Sequence, residues 1–246
     1  MKKNIHEMTN VAEVLAINPD KIDWILAPEE FWRIAEILGA IWRFNYVARE
    51  NGLFGCHALL KSGLHSDFFF SAKEMLRYEN ILKLLARQLA FLFSRLGIVE
   101  PDWIAGIPTG ATELAKEVAE LLGSRCAELE KIENQIEFKS TIGNAETLIW
   151  VEDVCTRGTA IRQAYTNLAK TVSMPVDYFY LLTLVNRSGI EKIELQDNKI
   201  VKVISLIKLR ANDWTKEECP LCPKSVAIKP KETPRNWELI TNAQKL

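Results

Sequence analysis

Hydrophobic and polar positions follow two patterns in this chain, and from residue 80 onward the two patterns alternate. Short runs rich in β-branched and aromatic residues predict strands, and longer stretches with apolar residues at helical spacing predict helices. The predicted strands are residues 102–107, 147–151, 177–185 and 199–207, and the predicted helices are residues 81–97, 111–123 and 159–172. This alternation predicts βαβ units and a parallel sheet that is covered on both faces.

Two of the predicted strands, residues 147–151 and 178–185, are almost continuously apolar. That pattern is typical of central strands that are buried on both sides. Near the N-terminus, residues 28–50 place apolar side chains at helical spacing after a proline and two acids, so we predict one helix there. The segment after Asn212 is richer in Pro, Lys and Cys, and we expect it to wrap the surface.

Composition limits the class of protein. The chain has 246 residues, of which 48% are hydrophobic and 26% charged, which suits one large domain or a core with a smaller cap. Its 31 basic and 32 acidic residues nearly cancel, so we expect no nucleic-acid or membrane partner. The sequence shows no apolar run of about 20 residues and no secretion signal, and its cysteine count, five, is odd. These features predict a cytoplasmic protein with reduced thiols.

The candidate chemistry centres on residues 148–161, LIWVEDVCTRGTAI, at the carboxyl end of a predicted strand. After Glu152 and Asp153 the chain turns and becomes helical, so free backbone N–H groups converge with the hydroxyls of Thr156 and Thr159. That arrangement predicts a phosphate site. Acids beside a phosphate would repel it, so we predict that they accept hydrogen bonds from neutral sugar hydroxyls.

One glycine and one arginine in this loop need separate interpretations. Gly158 has no Cβ, and we expect it to let the backbone approach the ligand closely. Arg157 is predicted to add a phosphate contact, to crowd the phosphate site, or to point into solvent, as most charged loop residues do.

The order of strand, acid pair and Thr/Gly loop resembles the signature of the type I phosphoribosyltransferases. Residues 59–73, LLKSGLHSDFFFSAK, are similar to the N-terminal motif of the orotate phosphoribosyltransferases, and residues 185–190, VNRSGI, resemble the family's Asp-Arg pair, with Asn186 in place of Asp. Residues 102–115 have the form of the loop that accepts pyrophosphate. Taken alone, these three segments also fit a hairpin with a buried aromatic strand, a surface arginine and an ordinary βα connection.

The resemblance implies an α/β fold, with an open, mostly parallel, twisted sheet flanked by helices and a small hood formed by the N- and C-terminal segments. It divides the chain into N-terminal helices and hood (1–75), the phosphoribosyltransferase core (76–210) and a tail that packs on the hood (211–246). The implied enzyme transfers a 5-phosphoribosyl group from phosphoribosyl pyrophosphate to orotate, in pyrimidine nucleotide biosynthesis. The alternatives are a phosphoribosyltransferase for a purine or uracil, or a non-catalytic regulator that binds phosphoribosyl pyrophosphate.

The resemblance also assigns roles to individual residues. The three residues implied in catalysis are Glu152, Asp153 and Lys131. Those implied in substrate binding are Lys61, Phe69, Phe70, Lys73, Thr109, Gly110, Thr156, Arg157, Gly158, Thr159, Ala160 and Arg187. Among these, Arg187 is expected to bind the orotate carboxylate, because its planar guanidinium offers a bidentate fork.

Magnesium is the implied cofactor, held mainly by substrate oxygens with Asp153 acting through water, so we expect no protein metal cage. The family closes a basic loop over the pyrophosphate, often from the neighbouring subunit of a homodimer. The corresponding residues 127–140 contain only two basic residues, Lys131 and Lys139, and a solvated hairpin is the alternative.

The cysteine and histidine positions give little sign of a metal site. Cys219 and Cys222 form one Cys-x-x-Cys pair, which supplies two of the four ligands that a structural zinc site requires. The histidines, His6, His57 and His65, show no metal-binding spacing along the chain. We therefore expect reduced cysteines in the tail.

Overall fold

A computed structural model describes residues 4–133, 135–143, 146–169 and 180–244 of the chain. The α-helices in this part are α1 (Val11–Leu15), α2 (Pro28–Ile37), α3 (Tyr46–Glu50), α4 (Lys73–Leu76), α5 (Glu79–Ser94), α6 (Thr112–Leu122), α7 (Thr159–Leu168) and α8 (Pro234–Asn242). The strands are β1 (Ile41–Arg43), β2 (Cys56–Leu59), β3 (His65–Ser66), β4 (Phe68–Phe70), β5 (Trp103–Gly106), β6 (Arg125–Ala127), β7 (Leu129–Ile132), β8 (Gln135–Phe138), β9 (Leu148–Cys155), β10 (Tyr180–Asn186), β11 (Lys192–Glu194), β12 (Ile200–Lys208), β13 (Asp213–Trp214) and β14 (Val226–Ile228). Among the described helices, none combines the length and the apolar character that crossing a membrane requires.

The chain forms two compact units. The larger unit comprises Met1–Ile34 and Ala72–Leu209, and the smaller unit comprises Ala35–Ser71 and Arg210–Leu246. The division predicted at residues 75 and 210 stays a prediction of domain organisation. The compact units group the chain differently, because the first 34 residues belong with the larger unit.

The larger unit contains a six-stranded sheet in the order β11-β12-β10-β9-β5-β6. All neighbouring strands are parallel except β11, which runs antiparallel to β12. Its central strand β9 begins with four buried residues, Leu148 to Val151, and every residue of β10 is buried. The continuous apolar runs therefore lie where the sequence predicts them, and the expected open, mostly parallel α/β sheet is confirmed.

Helices cover this sheet through apolar stripes. On α5 the buried positions include Ile81, Leu85 and Leu89, which repeat at helical spacing. On α7 the buried residues Ile161, Tyr165 and Leu168 pack in the core that also contains Leu148, Trp150 and Leu181. The predicted helix over 159–172 and the predicted strand over 177–185 each include positions between 170 and 179, which lie outside the described residues.

The prediction of a single helix over residues 28–50 is wrong. Helix α2 ends at Ile37, and Gly39 follows with φ of +66°, a left-handed conformation that commonly ends helices. The amide of Ala40 bonds back to the carbonyl of Ala35 at 2.8 Å. The chain then forms β1, which pairs antiparallel with β4, before α3 begins at Tyr46. The helical spacing was real on both sides, but the glycine separates it into two helices.

The smaller unit is built from short strands. Strands β13, β3, β2 and β14 form a four-stranded sheet in that order, and β1 and β4 form a two-stranded ribbon. Its hydrophobic core includes Trp42, Phe44 and Ala58 from the first segment, and Leu221 and Ile240 from the second. The C-terminal segment therefore packs within the smaller unit and does not merely wrap its surface.

Candidate functional site

Three loops of the larger unit lie at one edge of the six-stranded sheet. Strands β5, β9 and β10 are neighbours and parallel, so the loops that follow them leave from the same side. Gly106 at the end of β5 pairs with Val151, and Asn186 at the end of β10 pairs with Cys155. Strand β9 thus extends four residues beyond β5, and these four residues include the acid pair.

Glu152 and Asp153 lie inside β9, not after it as the sequence predicted. Burial, together with the negative charge of Asp153, raises the pKa of Glu152 to about 8, so in the free protein this carboxyl is mainly protonated at neutral pH. Its Oε2 atom is buried and has no hydrogen-bond partner among the described residues. A buried carboxyl oxygen without a partner is costly in a folded protein, and it is suited to receive a ligand hydroxyl.

The loop after β5 contacts the acid pair through Gly110. A Cβ on this residue would lie 2.7 Å from Cγ and 2.9 Å from Oδ1 of Asp153, closer than a real side chain tolerates. Glycine therefore allows the loop to reach the carboxylate. Thr109, which precedes it, is exposed, and the Pro108–Thr109 peptide is cis. The structure thus brings Thr109 and Gly110 to the acid pair.

The turn after β9 presents backbone donors. Within the described residues, the N–H groups of Thr156, Arg157, Thr159 and Ala160 donate to no protein acceptor. These amides precede or open α7, whose N-terminal end carries partial positive charge. Thr156, Arg157 and Thr159 are also exposed. Such an arrangement can bind an anion, and the phosphate site that the sequence predicts here stays a prediction.

Gly158 has a different role from the one predicted. Its φ is +68°, a conformation that favours glycine, and a Cβ there would lie 2.6 Å from Cδ1 of Ile193. The absent side chain therefore makes room for Ile193 and not for a ligand. Its N–H bonds the sulfur of Cys155, so this amide is occupied by the protein.

The turn after β10 holds Arg187 next to the end of β9. Arg187 is 7% exposed, so the alternative of a surface arginine is wrong. Its amide donates to the carbonyl of Cys155 at 2.8 Å, and the hydroxyl of Ser188 donates to the carbonyl of Thr156. Asn186 is fully buried and fixes this turn, because its side chain donates to the carbonyl of Ile190 at 2.7 Å and accepts from the amide of residue 189.

Lys131 lies on an exposed antiparallel ribbon formed by β7 and β8, where it pairs with Ile136. The ribbon is anchored to α7, because Ile136 is buried and its carbonyl accepts a hydrogen bond from Asn167 at 2.7 Å. Lys139 is held by Glu137 at 2.8 Å. A hairpin is what one of the two sequence interpretations predicted, and Lys131 remains a candidate for contact with a ligand.

The remaining predicted residues lie elsewhere. Lys73 is exposed at the first position of α4 in the larger unit. In the smaller unit, Lys61 is exposed in the loop between β2 and β3. Phe69 is half-buried with its ring 6.2 Å from that of Trp237, and Phe70 is buried. Successive strand residues point to opposite faces, so these two rings do not form a joint surface for one pyrimidine.

One cluster in the smaller unit was missed by the sequence analysis. His57 and His65 lie on β2 and β3, and their ring nitrogens meet the sulfurs of Cys219 and Cys222, with all four atoms within 4.8 Å of one another. The histidines are about 160 residues from the cysteines along the chain, so no local motif joins them. The available signal was the Cys-x-x-Cys pair together with two histidines in apolar surroundings.

Comparisons with known proteins agree with this geometry. No family model matches the chain. The chain is 31% identical over 177 residues to an orotate phosphoribosyltransferase of Caldanaerobacter subterraneus subsp. tengcongensis, across 70% of this chain and 86% of the relative. It is 30% identical over 188 residues to an orotate phosphoribosyltransferase of Sulfurovum sp., across 73% and 93%. The crystal structure of orotate phosphoribosyltransferase from Aeropyrum pernix matches with a TM-score of 0.53 and 21% identity, across 72% of this chain and 92% of that chain.

The parallel sheet, the acid pair and the amide-lined turn define a protein with the type I phosphoribosyltransferase fold. The sequence predicted this class from the stretch around Glu152. The curated relatives are more specific, and the chain belongs to the orotate phosphoribosyltransferase family.

Proposed function

We propose that this protein transfers a 5-phosphoribosyl group from phosphoribosyl pyrophosphate to a ring nitrogen of orotate, forming orotidine 5′-phosphate and pyrophosphate. The observation that carries the proposal is a set of four amides, those of residues 156, 157, 159 and 160, which donate to no protein acceptor among the described residues and follow shortly after an acid pair with an unpartnered carboxyl oxygen. Amides at a helix N-terminus suit an anion and carboxyl oxygens suit hydroxyl donors, and a sugar phosphate offers both groups side by side. Membership in the family supports orotate as the acceptor.

In this proposal the larger unit binds the phosphoribosyl donor. The amides of Thr156, Arg157, Thr159 and Ala160 and the threonine hydroxyls hold the 5′-phosphate at the positive end of α7, and Gly158 forms the turn between them. Glu152 and Asp153 accept hydrogen bonds from the ribose hydroxyls. Thr109 and Gly110 hold the pyrophosphate, and Gly110 lies against Asp153.

Charge placement provides the catalysis. When the bond between ribose C1 and the pyrophosphate oxygen breaks, positive charge develops on the sugar and negative charge on the leaving group. Asp153 stabilises the positive charge on the sugar, Glu152 holds the ribose hydroxyls, and Lys131 and Lys73 offset the charge on the phosphates. The binding of donor and acceptor in one orientation lowers the barrier further.

Magnesium is part of the proposal. A hard cation prefers oxygen ligands, and the Asp153 carboxylate and the unpartnered Oε2 of Glu152 supply oxygens of the right kind. Asp153 would hold the ion through water while the donor supplies most of its ligands. Bound there, magnesium would neutralise part of the pyrophosphate charge.

In this proposal Arg187 binds the carboxylate of orotate. A guanidinium matches a carboxylate bidentately, and Arg187 is already shielded from solvent, which strengthens such a pair. We also propose that the protein is a homodimer and that it is cytoplasmic.

The test is a panel assay. The protein is incubated with magnesium, phosphoribosyl pyrophosphate and orotate, uracil, hypoxanthine or adenine, while base absorbance and pyrophosphate release are followed. We expect pyrophosphate release with orotate and little with the other bases. Turnover with a purine or uracil alone would contradict the choice of acceptor, and donor binding without any turnover would identify a regulator instead.

A further inference from the structure

We propose that His57, His65, Cys219 and Cys222 bind a zinc ion in the smaller unit. One donor atom from each residue lies within 4.8 Å of the other three. Among the described residues this is the only group of three or more His, Cys, Asp and Glu side chains that converges in this way. Two imidazoles and two thiols form a ligand set that is typical of tetrahedral structural zinc sites.

The distances fit a tetrahedron around one ion. Zinc lies about 2.0–2.3 Å from nitrogen and sulfur ligands, so the edges of its tetrahedron measure roughly 3.3–3.8 Å. The sulfur of Cys222 is 3.2 Å from Nδ1 of His65 and 3.8 Å from Nε2 of His57, and the sulfur of Cys219 is 3.6 Å from Nε2 of His57. The two histidine nitrogens are 2.8 Å apart, so a small outward shift brings this edge to the length that zinc requires.

Local structure explains why these side chains meet. Strands β2 and β3 are antiparallel neighbours, and the pairing of Leu59 with His65 places the two histidines on adjacent strands. The cysteines are the ends of the turn Cys-Pro-Leu-Cys, in which the amide of Cys222 faces the carbonyl of Cys219 at 3.4 Å. This turn precedes β14, which pairs with β2 on its other side, so the sheet itself delivers the cysteines to the histidines.

The surroundings also suit a bound metal. His57 is fully buried, and its second nitrogen, Nδ1, lies 3.0 Å from Oγ of Ser225. Zinc-bound histidines usually donate their other N–H to such a partner, which fixes the tautomer and the ring orientation. His65 and Cys219 are each 5% exposed, and Cys222 is only half-buried, which leaves a path for the ion to enter.

The four protein ligands leave no position for a substrate, so the ion is structural and not catalytic. It would join the β2–β3 hairpin to a segment about 160 residues further along the chain. The loop at the end of that hairpin carries Lys61. The metal would therefore hold the base of this loop, and the zinc site does not depend on the proposed function.

The first test measures metal in the full-length protein. It is purified without a metal-binding tag, dialysed against metal-free buffer and analysed for its elements, and we expect about one zinc ion per chain. Cys222→Ser and His65→Gln should each lose most of that zinc. Two matched controls, Cys56→Ser and His6→Gln, should keep the zinc, because neither residue belongs to the cluster. Cys56 is a close control, since it directly precedes His57 on β2.

Two further measurements decide the matter if a ligand variant fails to fold. Cobalt(II) added to the metal-free wild-type protein should give the intense visible bands of a tetrahedral ion and a thiolate charge-transfer band, and zinc should abolish both. Ser225→Ala, which keeps all four ligands, should weaken zinc binding about 10- to 100-fold in competition with a chelator.

Several results would overturn the proposal. Wild-type protein without zinc and without cobalt bands would do so, as would a disulfide between Cys219 and Cys222 in reductant-treated protein. Iron in place of zinc would refute the choice of metal. Equal zinc content in the ligand variants and the two controls would show that any bound zinc lies elsewhere. None of these measurements uses turnover, so failure of the proposed reaction would leave them unaffected.

Discussion

Replacement of Glu152 by glutamine tests whether this carboxyl of the acid pair is protonated in the folded free protein. In the free protein the pKa of Glu152 is raised from 4.5 to about 8, first by burial and second by Asp153. Between these two values the folded state holds a proton that the unfolded state releases, so stability falls as pH rises through this window. Glutamine keeps the shape of the side chain but does not titrate, and this part of the pH dependence should disappear.

The size of the effect follows from the two pKa values. At about 1.4 kcal/mol for each unit of pKa, the difference corresponds to roughly 5 kcal/mol, which is an upper limit. Water reaches part of this half-buried residue, and real sites respond as a medium of higher dielectric constant, so we expect about 2–3 kcal/mol. For a chain of this size, each kcal/mol moves the melting temperature by about 2–4 °C. We therefore expect the melting temperature to fall by roughly 5–10 °C as the pH rises through this window.

The assay is thermal unfolding at pH 5 and pH 9 for the wild type, Glu152→Gln and the control Glu120→Gln, whose side chain is exposed on α6. The wild type and the control should lose roughly 5–10 °C more than Glu152→Gln between the two pH values. If the melting temperature of Glu152→Gln differs from that of the wild type by the same amount at both pH values, the difference reflects only the buried amide. Parallel curves for all three proteins would show that Glu152 is ionised in the free protein, and the reasoning from burial would be refuted.

Three further variants test the remaining assignments. Arg187→Lys keeps the charge but loses the bidentate fork, so it should raise KM for orotate about 10-fold or more in steady-state kinetics while KM for the phosphoribosyl donor stays nearly constant; equal loss of both would contradict the role. Lys131→Ala should lower kcat. The control Lys139→Ala should not, because Lys139 is held by two acids. Equal effects of the two variants on kcat would contradict the role of Lys131. Gly158→Ala should destabilise the fold by about 2–4 kcal/mol in urea unfolding, against about 1 kcal/mol for Gly123→Ala, which shares its φ but has open space around it; similar losses would refute the packing argument.

The larger unit was predictable because its signals are local and periodic. Strand β9 is apolar over four successive residues and then changes to Glu152 and Asp153, and α7 begins where the spacing changes from strand to helix. Since parallel strands align their carboxyl ends, the order of these patterns also predicted which loops would meet. The sequence does not show the register of β9 against its neighbours. The acid pair was therefore predicted to follow the strand, whereas it lies within the strand.

The smaller unit gave weaker signals for a physical reason. Its strands have two to four residues, which is too short for a period to be recognised, and two of their pairings, β13 with β3 and β14 with β2, join segments well over a hundred residues apart. The end of the helix near Gly39 also depends on strand pairing. A glycine within an apolar helical pattern is tolerated in a helix, and here the helix ends because β1 pairs with β4. The convergence of His57 with Cys222 follows from that non-local pairing and from nothing in the order of residues.

The difficulty of prediction and the proposed metal share one cause. A unit made of two short segments and a few brief strands buries little apolar surface for the chain entropy it must lose, and small folds of this kind commonly depend on a cross-link. Local periodicity is weak where local structure contributes little stability, and a zinc ion adds stability at the point where the separated segments meet. The cluster lies at that point, since it joins β2 and β3 to the turn before β14 within the core of the smaller unit. The six-stranded sheet of the larger unit has no comparable need, because its extensive core already supplies the stability that the smaller unit would draw from its metal.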